Sequence, residues 1–363
     1  MRAVVLREVG RRTEVEDVAL RPLRGNEVRV QIVASGVCHT DLSVRDGLMP
    51  ALLPCTLGHE GAGIVAEVGD DVTTVGVGDH VVVTWNVPCR SCPHCLRGDA
   101  QLCPHGLDHA FGEAYAESAS GPVWPSMGAG TLAEQTLVPA AAVVPVDPAL
   151  RLEHAALLGC AVTTGVGAVL RTAAVRPGES VLVLGCGGVG LAAIQGARVA
   201  GAGQIIAADR MVAQLPAASA NGATDTVDAS TGDLPAAIRD LTGGVGVDHA
   251  IEVVGKAATI RAAYDATRRG GTVTVVGAAG IEETVTFPAL SLMADGKTIR
   301  GSVYGASDPA RDIGVLARLA RRGLLDLEAL VTRRTGIDDV EDAFADMAAG
   351  RGARSMVCFD TVA

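Results

Sequence analysis

Aromatic side chains are nearly missing from this 363-residue chain, which has two Trp, three Tyr and four Phe. A core of stacked rings is therefore excluded, and the 48 % hydrophobic content must pack as Val, Ala and Leu. Positive charge is also short: Lys and Arg number 30 against 41 acidic residues, a net charge of −11. That balance argues against nucleic acid or an anionic membrane as the main partner, while leaving room for one basic pocket. An uninterrupted apolar run of membrane length is lacking too. The nearest, "VLVLGCGGVGLAAIQGARVAGAG" (181–203), is broken by glycines and by Arg198, and suits a strand, a tight turn and a helix better than a span. The opening "MRAVVLREVG" carries charges where an export signal needs apolar residues, so a cytoplasmic protein is expected. In that setting nine cysteines read as reduced thiols and metal ligands, not disulfides.

The length predicts two domains. In the first 160 residues "EVRVQIVASG" and "GAGIVAEVG" alternate apolar and polar residues, and "GDHVVVTW" follows a Gly-Asp turn. Short strands with this punctuation predict a partly open barrel or sandwich. Residues 104–130, dense in Gly and Pro, are expected to be a surface loop. From about 162 strand and helix alternate: "SVLVLG", "GVGLAAIQGARVAG", "QIIAAD", "DTVD", "LPAAIRDLTGG", "VDHAIEVVG", "GGTVTVVGAAG" and "TIRGSVYG". Apolar strands between helices predict a doubly wound parallel sheet, an α/β fold. The tail from about 304 returns to helices and a last strand, "ARSMVCFD", able to rejoin the first domain. No internal repeat or low-complexity tract is visible.

In "LVLGCGGVGLAA", Gly185, Gly187 and Gly190 form G-x-G-x-x-G between a strand and a helix. That pattern lets the backbone turn, approach a pyrophosphate and pack the helix closely. A glycine-rich chain produces it by chance as well, as a plain turn. Asp209 adds weight. It ends the next strand, nineteen residues after Gly190, where a carboxylate accepts a ribose diol and repels the extra phosphate of NADP. NAD is favoured, with Arg210 beside it as the counter-indication. Gly188 and Ala278 join the residues expected to face the cofactor.

Cys89, Cys92, Cys95 and Cys103 have the spacing C-x2-C-x2-C-x7-C. Four thiolates from one short loop suit a closed, tetrahedral structural zinc. An iron–sulfur cluster is the competing reading, but the ferredoxin run has three residues before its last cysteine. His94 lies inside the knot, yet four cysteines already fill the shell. A second set is dispersed: Cys38 in "GVCHTD", His59 in "LGHEGAG" and Cys160 in "LLGCAVTTG". Each alone is more simply a core residue. Together, two thiolates and one imidazole with a position left open make a catalytic zinc shell, with Asp41 and Glu60 close by to orient the ligands.

"GVCHTD", "GHEGAGIV", the four-cysteine loop, "LGC" and "GCGGVG", in this order, resemble the zinc-dependent medium-chain alcohol dehydrogenases over essentially the whole chain. The resemblance implies a GroES-like catalytic domain from residues 1–161 and 304–363, and a Rossmann NAD-binding domain from residues 162–303. It implies two zinc ions per chain, the catalytic one on Cys38, His59 and Cys160. Thr40 matches the hydroxyl that receives the substrate's proton. His39 and Arg354 match contacts to the cofactor pyrophosphate, Thr164 and Val189 residues that press on the nicotinamide, and Trp85 an aromatic wall of the substrate pocket. Many relatives place a proton-relaying histidine where this chain has Ser43; either Ser43 with a water continues the relay or His39 takes it over. Cys55, Cys186 and Cys358 have no assigned role.

The implied reaction is hydride transfer between an alcohol and NAD. A primary aromatic or allylic alcohol is expected, with a thiol adduct of formaldehyde as the alternative. Polyols are disfavoured, because that branch usually has Glu where Cys160 stands. A zinc-stabilised nucleotide-binding protein without turnover would keep the knot and the glycines, but would have no reason to keep Cys38, Thr40, His59, Glu60 and Cys160 together. A homodimer or homotetramer, joined near 290–305, is expected from the resemblance.

Overall fold

The alternating segments of the first half become strands β1 (Arg2–Leu6), β2 (Glu14–Leu20), β3 (Glu27–Val37), β4 (Cys55–Thr56), β5 (Gly61–Val68), β6 (His80–Val83), β7 (Ala116–Ser118), β8 (Gly121–Pro125), β9 (Gln135–Pro139) and β10 (Val143–Pro145). The computed structural model describes residues 1–280 and 282–359. Strands β1, β2, β7, β8 and β4 close a small barrel. Beside it, β10, β6, β5 and β3 form a sheet that β9 joins through β3. The buried members Val28, Val30, Ile32, Val65, Val81 and Val83 point from this sheet into one apolar cluster, as period-two alternation requires.

In the second half β11 (Ser180–Leu184), β12 (Gln204–Asp209), β13 (Asp225–Asp228), β14 (Val247–Glu252), β15 (Thr267–Val275) and β16 (Thr298–Gly301) form a parallel sheet ordered β13-β12-β11-β14-β15-β16. The order reverses between β11 and β14, so a crevice opens beyond their carboxyl ends, at Gly185 and Val253. The chain end then returns to the first unit. Strands β17 (Arg333–Thr335) and β18 (Ser355–Cys358) extend its sheet, with Ser355 opposite Val37 on β3. No single helix is long and apolar enough to cross a membrane among the described residues.

Two expectations fail locally. Residues 104–130 are more than a surface loop, since β7 and β8 form a hairpin that closes the barrel. Gly121, at φ 113°, turns it, and Tyr115, Ala116 and Val123 are buried. Dense Gly and Pro mark this turn, but Pro122 and Pro125 also mask the short strands around it. The expected strand "TIRGSVYG" stops at Gly301. Tyr304, Gly305 and Ala306 then turn left-handed, at φ 52°, 64° and 50°, because Gly305 is pressed on the helix Ala161–Gly167. A Cβ there would lie 2.3 Å from the Thr163 carbonyl.

Candidate active site and metal centres

Strand pairing brings the dispersed residues together. Gly61 on β5 lies opposite Ser35 on β3, and the Gly36 amide donates to the Glu60 carbonyl at 2.8 Å. The residues just past the end of β3 therefore lie beside those just before β5, which places Cys38 next to His59 and Glu60. Cys160 comes from the kink between Leu157–Gly159 and the helix Ala161–Gly167. That kink docks where the Ala161 amide donates to Glu60 Oε2 at 3.0 Å. Ligand atoms of Cys38, His59 and Cys160 lie within 4.8 Å of one another, and all three residues are buried.

Asp41, fully buried, holds this group by three bonds. Its carboxylate accepts from the Cys38 amide at 3.0 Å and the Gly58 amide at 3.0 Å, and its Oδ1 is 3.1 Å from His59 Nδ1. His59 Nε2 is left buried with no hydrogen-bond partner. An orphaned imidazole nitrogen beside two buried thiols is the donor set of a zinc ion, so the residues fit the metal. The Cys38 thiol is drawn well below its ordinary value by a hydrogen bond from Cys160, against burial, with Arg354 and His59 adding to the pull.

Glu60 and Arg354 form a buried ion pair at 3.3 Å. Burial lifts the Glu60 carboxyl to about 7, against the opposing pull of Arg354. Arg354 also donates to the Val37 carbonyl at 2.8 Å, a consequence of β18 pairing on β3. Its guanidinium borders the glycine-rich turn, where a Cβ on Gly188 would meet it at 2.8 Å.

That turn leaves a cradle. Gly185 has φ 103°, and a Cβ on Gly190 would lie 1.9 Å from the Gly185 carbonyl, so only glycine permits this approach. Nothing stands within 4 Å of a Cβ placed on Gly187, at the start of the helix Gly188–Ala200. Asp209 ends β12 beside it, accepting the Cys186 amide at 2.6 Å and the Met211 amide at 2.8 Å; Arg210 is exposed. Thr164 and Val189, both half-buried, lie on two helices in close contact, since a Cβ on Gly165 between them would meet the Val189 carbonyl at 2.3 Å. Ala278 is exposed on the loop after β15, against Gly255. These residues line the carboxyl edge of the sheet and fit a dinucleotide.

His39, Thr40 and Ser43 share the helix His39–Arg45. His39 is exposed and the other two half-buried. Ser43 is one turn from both His39 and Thr40, on their face of the helix. Trp85, half-buried after β6, has its Nε1 buried without a partner. Its ring meets that of Tyr304 edge-on, centroids 4.8 Å apart. Sequence reasoning missed Tyr304; the one signal for it was a tyrosine in a chain with so few aromatics.

The four-cysteine lobe is a separate centre. Cys89, Cys92, Cys95 and Cys103 present their sulfurs within 4.8 Å of one another. The Cys92 and Cys103 sulfurs are 3.8 Å apart, the separation of two ligands on a tetrahedral ion with bonds of about 2.3 Å. Backbone amides of Cys92, Cys95 and Cys89 donate to the sulfurs of Cys89, Cys92 and Cys103 at 3.3, 3.5 and 3.3 Å.

Residues 24–148 match the family described as alcohol dehydrogenase GroES-like domain, and residues 188–321 that described as zinc-binding dehydrogenase. An S-(hydroxymethyl)glutathione dehydrogenase of Escherichia coli O1:K1 is 35 % identical over 368 aligned residues, spanning 98 % of this chain and 99 % of that protein. An alcohol dehydrogenase zinc-binding domain protein from Burkholderia ambifaria superimposes with a TM-score of 0.94 at 36 % identity, over 99 % of this chain and 98 % of that one. A benzyl alcohol dehydrogenase from Acinetobacter calcoaceticus gives 0.91 at 33 % identity over 99 % of both chains.

Proposed function

The chain belongs to the zinc-dependent alcohol dehydrogenases of the medium-chain superfamily, and on that premise we propose that it interconverts a primary aromatic or allylic alcohol and its aldehyde, with NAD as the hydride carrier. The observation that carries this reading is the buried set Cys38, His59 and Cys160, with one imidazole nitrogen unpartnered, joined through Glu60 and Arg354 to a glycine-rich dinucleotide cradle. A zinc ion held by Cys38, His59 and Cys160 would supply the acidification of an alcohol hydroxyl, and a dinucleotide held at Gly185–Gly190 would supply the hydride acceptor.

The chain's own residues do the rest. Asp41 takes the Nδ1 proton of His59 as a hydrogen bond and so fixes Nε2 as the ligating end. Thr40 receives the alcohol's proton at its hydroxyl, and either Ser43, one turn on, passes it towards solvent through a water, or His39 takes the relay over. Gly187, Gly188 and Arg354 take the pyrophosphate, His39 lying at the rim. Asp209 accepts the ribose diol and repels a 2′-phosphate, which selects NAD over NADP. Thr164 and Val189 would pack against the nicotinamide ring. Trp85 walls the pocket, which, with the likeness to the Acinetobacter enzyme, supports an aromatic substrate. Cys89, Cys92, Cys95 and Cys103 would hold the second, structural zinc.

Two copies are expected to join along β16, all of whose residues are exposed, where Leu290, Met293, Ile299 and Val303 also stand open. A second substrate reading, oxidation of a formaldehyde–thiol adduct, is supported by the likeness to the Escherichia coli enzyme and uses the same centre.

The test is NADH formation at 340 nm with NAD and with NADP, against benzyl, cinnamyl and straight-chain alcohols, and against formaldehyde with added thiols. Turnover best with NAD and an aromatic alcohol supports the reading. Turnover only with the formaldehyde–thiol mixture replaces it by the second.

A further inference from the structure

Trp85 is held from behind by a chain of buried contacts. Its ring meets Tyr304 at 67° between planes. The Tyr304 hydroxyl, 2 % exposed as a residue, donates to the Gly159 carbonyl at 2.7 Å and lies 3.1 Å from Thr84 Oγ1. A phenol has one proton, so with it given to Gly159 the Thr84 hydroxyl must be the donor to Tyr304. Thr84 Oγ1 in turn accepts the Asn86 amide at 3.3 Å. The residues flanking Trp85 are thus tied, through Tyr304, to the carbonyl immediately before Cys160.

Tyr304 occupies this place in a backbone it disfavours. It opens the run of three left-handed residues, two of which carry a Cβ, and such a run persists only when its surroundings enforce it. Gly305, wedged on Thr163, enforces it from one side. From the other, Asp308 receives both guanidinium nitrogens of Arg90, at 2.5 and 2.8 Å. Arg90 lies in the four-cysteine lobe between Cys89 and Cys92, and is itself at φ 63°.

We propose that Tyr304 and the Arg90–Asp308 pair are positioning elements for substrate choice: the four-cysteine lobe clamps the left-handed turn, and the turn aims Trp85 at the substrate. The lobe then acts on specificity at a distance, besides holding its own metal. This rests on the reading of Trp85 as a pocket wall. A displaced wall weakens binding of a ring that packs on it far more than binding of a short chain that does not.

The experiment compares Tyr304→Phe, which keeps the ring but loses both hydroxyl bonds, with Arg90→Gln, Arg90→Lys and Trp85→Ala. Steady-state kinetics use benzyl alcohol and butan-1-ol, and zinc is counted by atomic emission. For Tyr304→Phe and Arg90→Gln the ratio of kcat/KM for benzyl alcohol to that for butan-1-ol should fall about tenfold, chiefly through KM for benzyl alcohol. Two zinc ions per chain should remain, and Arg90→Lys should recover part of the loss. In a Trp124→Phe background, the fluorescence of Trp85 should shift to the red in both variants, a readout that general destabilisation with intact packing would not move. If the ratio changes less than twofold in both variants while Trp85→Ala changes it, the clamp is overturned and the pocket reading stands. If Trp85→Ala itself leaves the ratio unchanged, the pocket reading fails and the specificity role fails with it. Loss of a zinc in Arg90→Gln would also overturn the clamp, because lobe integrity would then carry the effect.

Discussion

His59 turns Nδ1 to Asp41, 3.1 Å away, and so leaves Nε2 as the nitrogen available to the sulfurs of Cys38 and Cys160. The carboxylate chooses the tautomer, and the tautomer makes the site. Asp41→Asn replaces an acceptor-only group by one that also presents N–H groups to the ring, and removes one of the oxygens that hold the Cys38 and Gly58 amides. Zinc at this centre should be held about 10–100-fold less tightly. A chelator titration with atomic emission checks it, one zinc leaving early and the other at its wild-type chelator concentration. Unchanged retention of both would show that Asp41 is only a loop anchor.

The two metal centres should separate turnover from stability. On the proposed reading Cys38→Ser removes a ligand of the zinc that would supply several kcal/mol of transition-state stabilisation, so turnover should fall on the order of 10³-fold with little change in thermal midpoint. Cys95→Ser opens the lobe, whose fold depends on its metal, and the midpoint should fall by roughly 5–10 °C. Each variant should retain one zinc. Equal midpoints for the two variants in calorimetry would contradict this division.

Asp209 occupies the end of β12 with both oxygens engaged by the turn it faces. On the proposed reading Asp209→Ala removes the repulsion against a 2′-phosphate and the acceptor for the ribose diol, next to the exposed Arg210. The preference for NAD over NADP, as a ratio of kcat/KM values, should drop by about 10–100-fold. An unmoved ratio would take cofactor choice away from this residue.

The sequence carried those features whose parts lie close together along the chain. The four cysteines, Gly185 to Gly190 with Asp209, and the period-two strands are local patterns, each with a physical cause acting over a few residues. The ends of the set Cys38, His59 and Cys160 lie 122 positions apart, and the set meets only through the register of β3 on β5 and the kink before Ala161. Without the resemblance it reads as three core residues. Arg354 is further from legibility: its place beside Glu60 and Gly188 follows from a last strand pairing with one more than three hundred residues earlier. Tyr304 was illegible because its backbone contradicts its own preference, and the reason lies in Thr163 and Arg90, not in its neighbours in sequence. The hairpin of β7 and β8 was hidden by the glycines and prolines that make its turn.

His109 gives the fold a pH dependence that is separate from both metal centres. Its ring lies under Gly128, where a Cβ would meet it at 2.2 Å, and its Nε2 is buried without a partner. Burial pulls its pKa down to about 4 from 6.5, with Asp108 opposing weakly. In the unfolded chain the imidazole takes a proton near 6.5, whereas the folded protein resists until about 4. The contribution is therefore complete above pH 6.5 and is lost as pH falls through the window from 6.5 to 4. It amounts to at most about 3 kcal/mol. His109→Phe keeps a ring and removes the titration, so the gap in unfolding free energy between variant and wild type should move in the variant's favour across that window and level off below it. A gap that stays constant between pH 7 and pH 4 in urea melts would mean that the folded protein accepts the proton as readily as the unfolded chain, and that His109 is not sealed beneath Gly128.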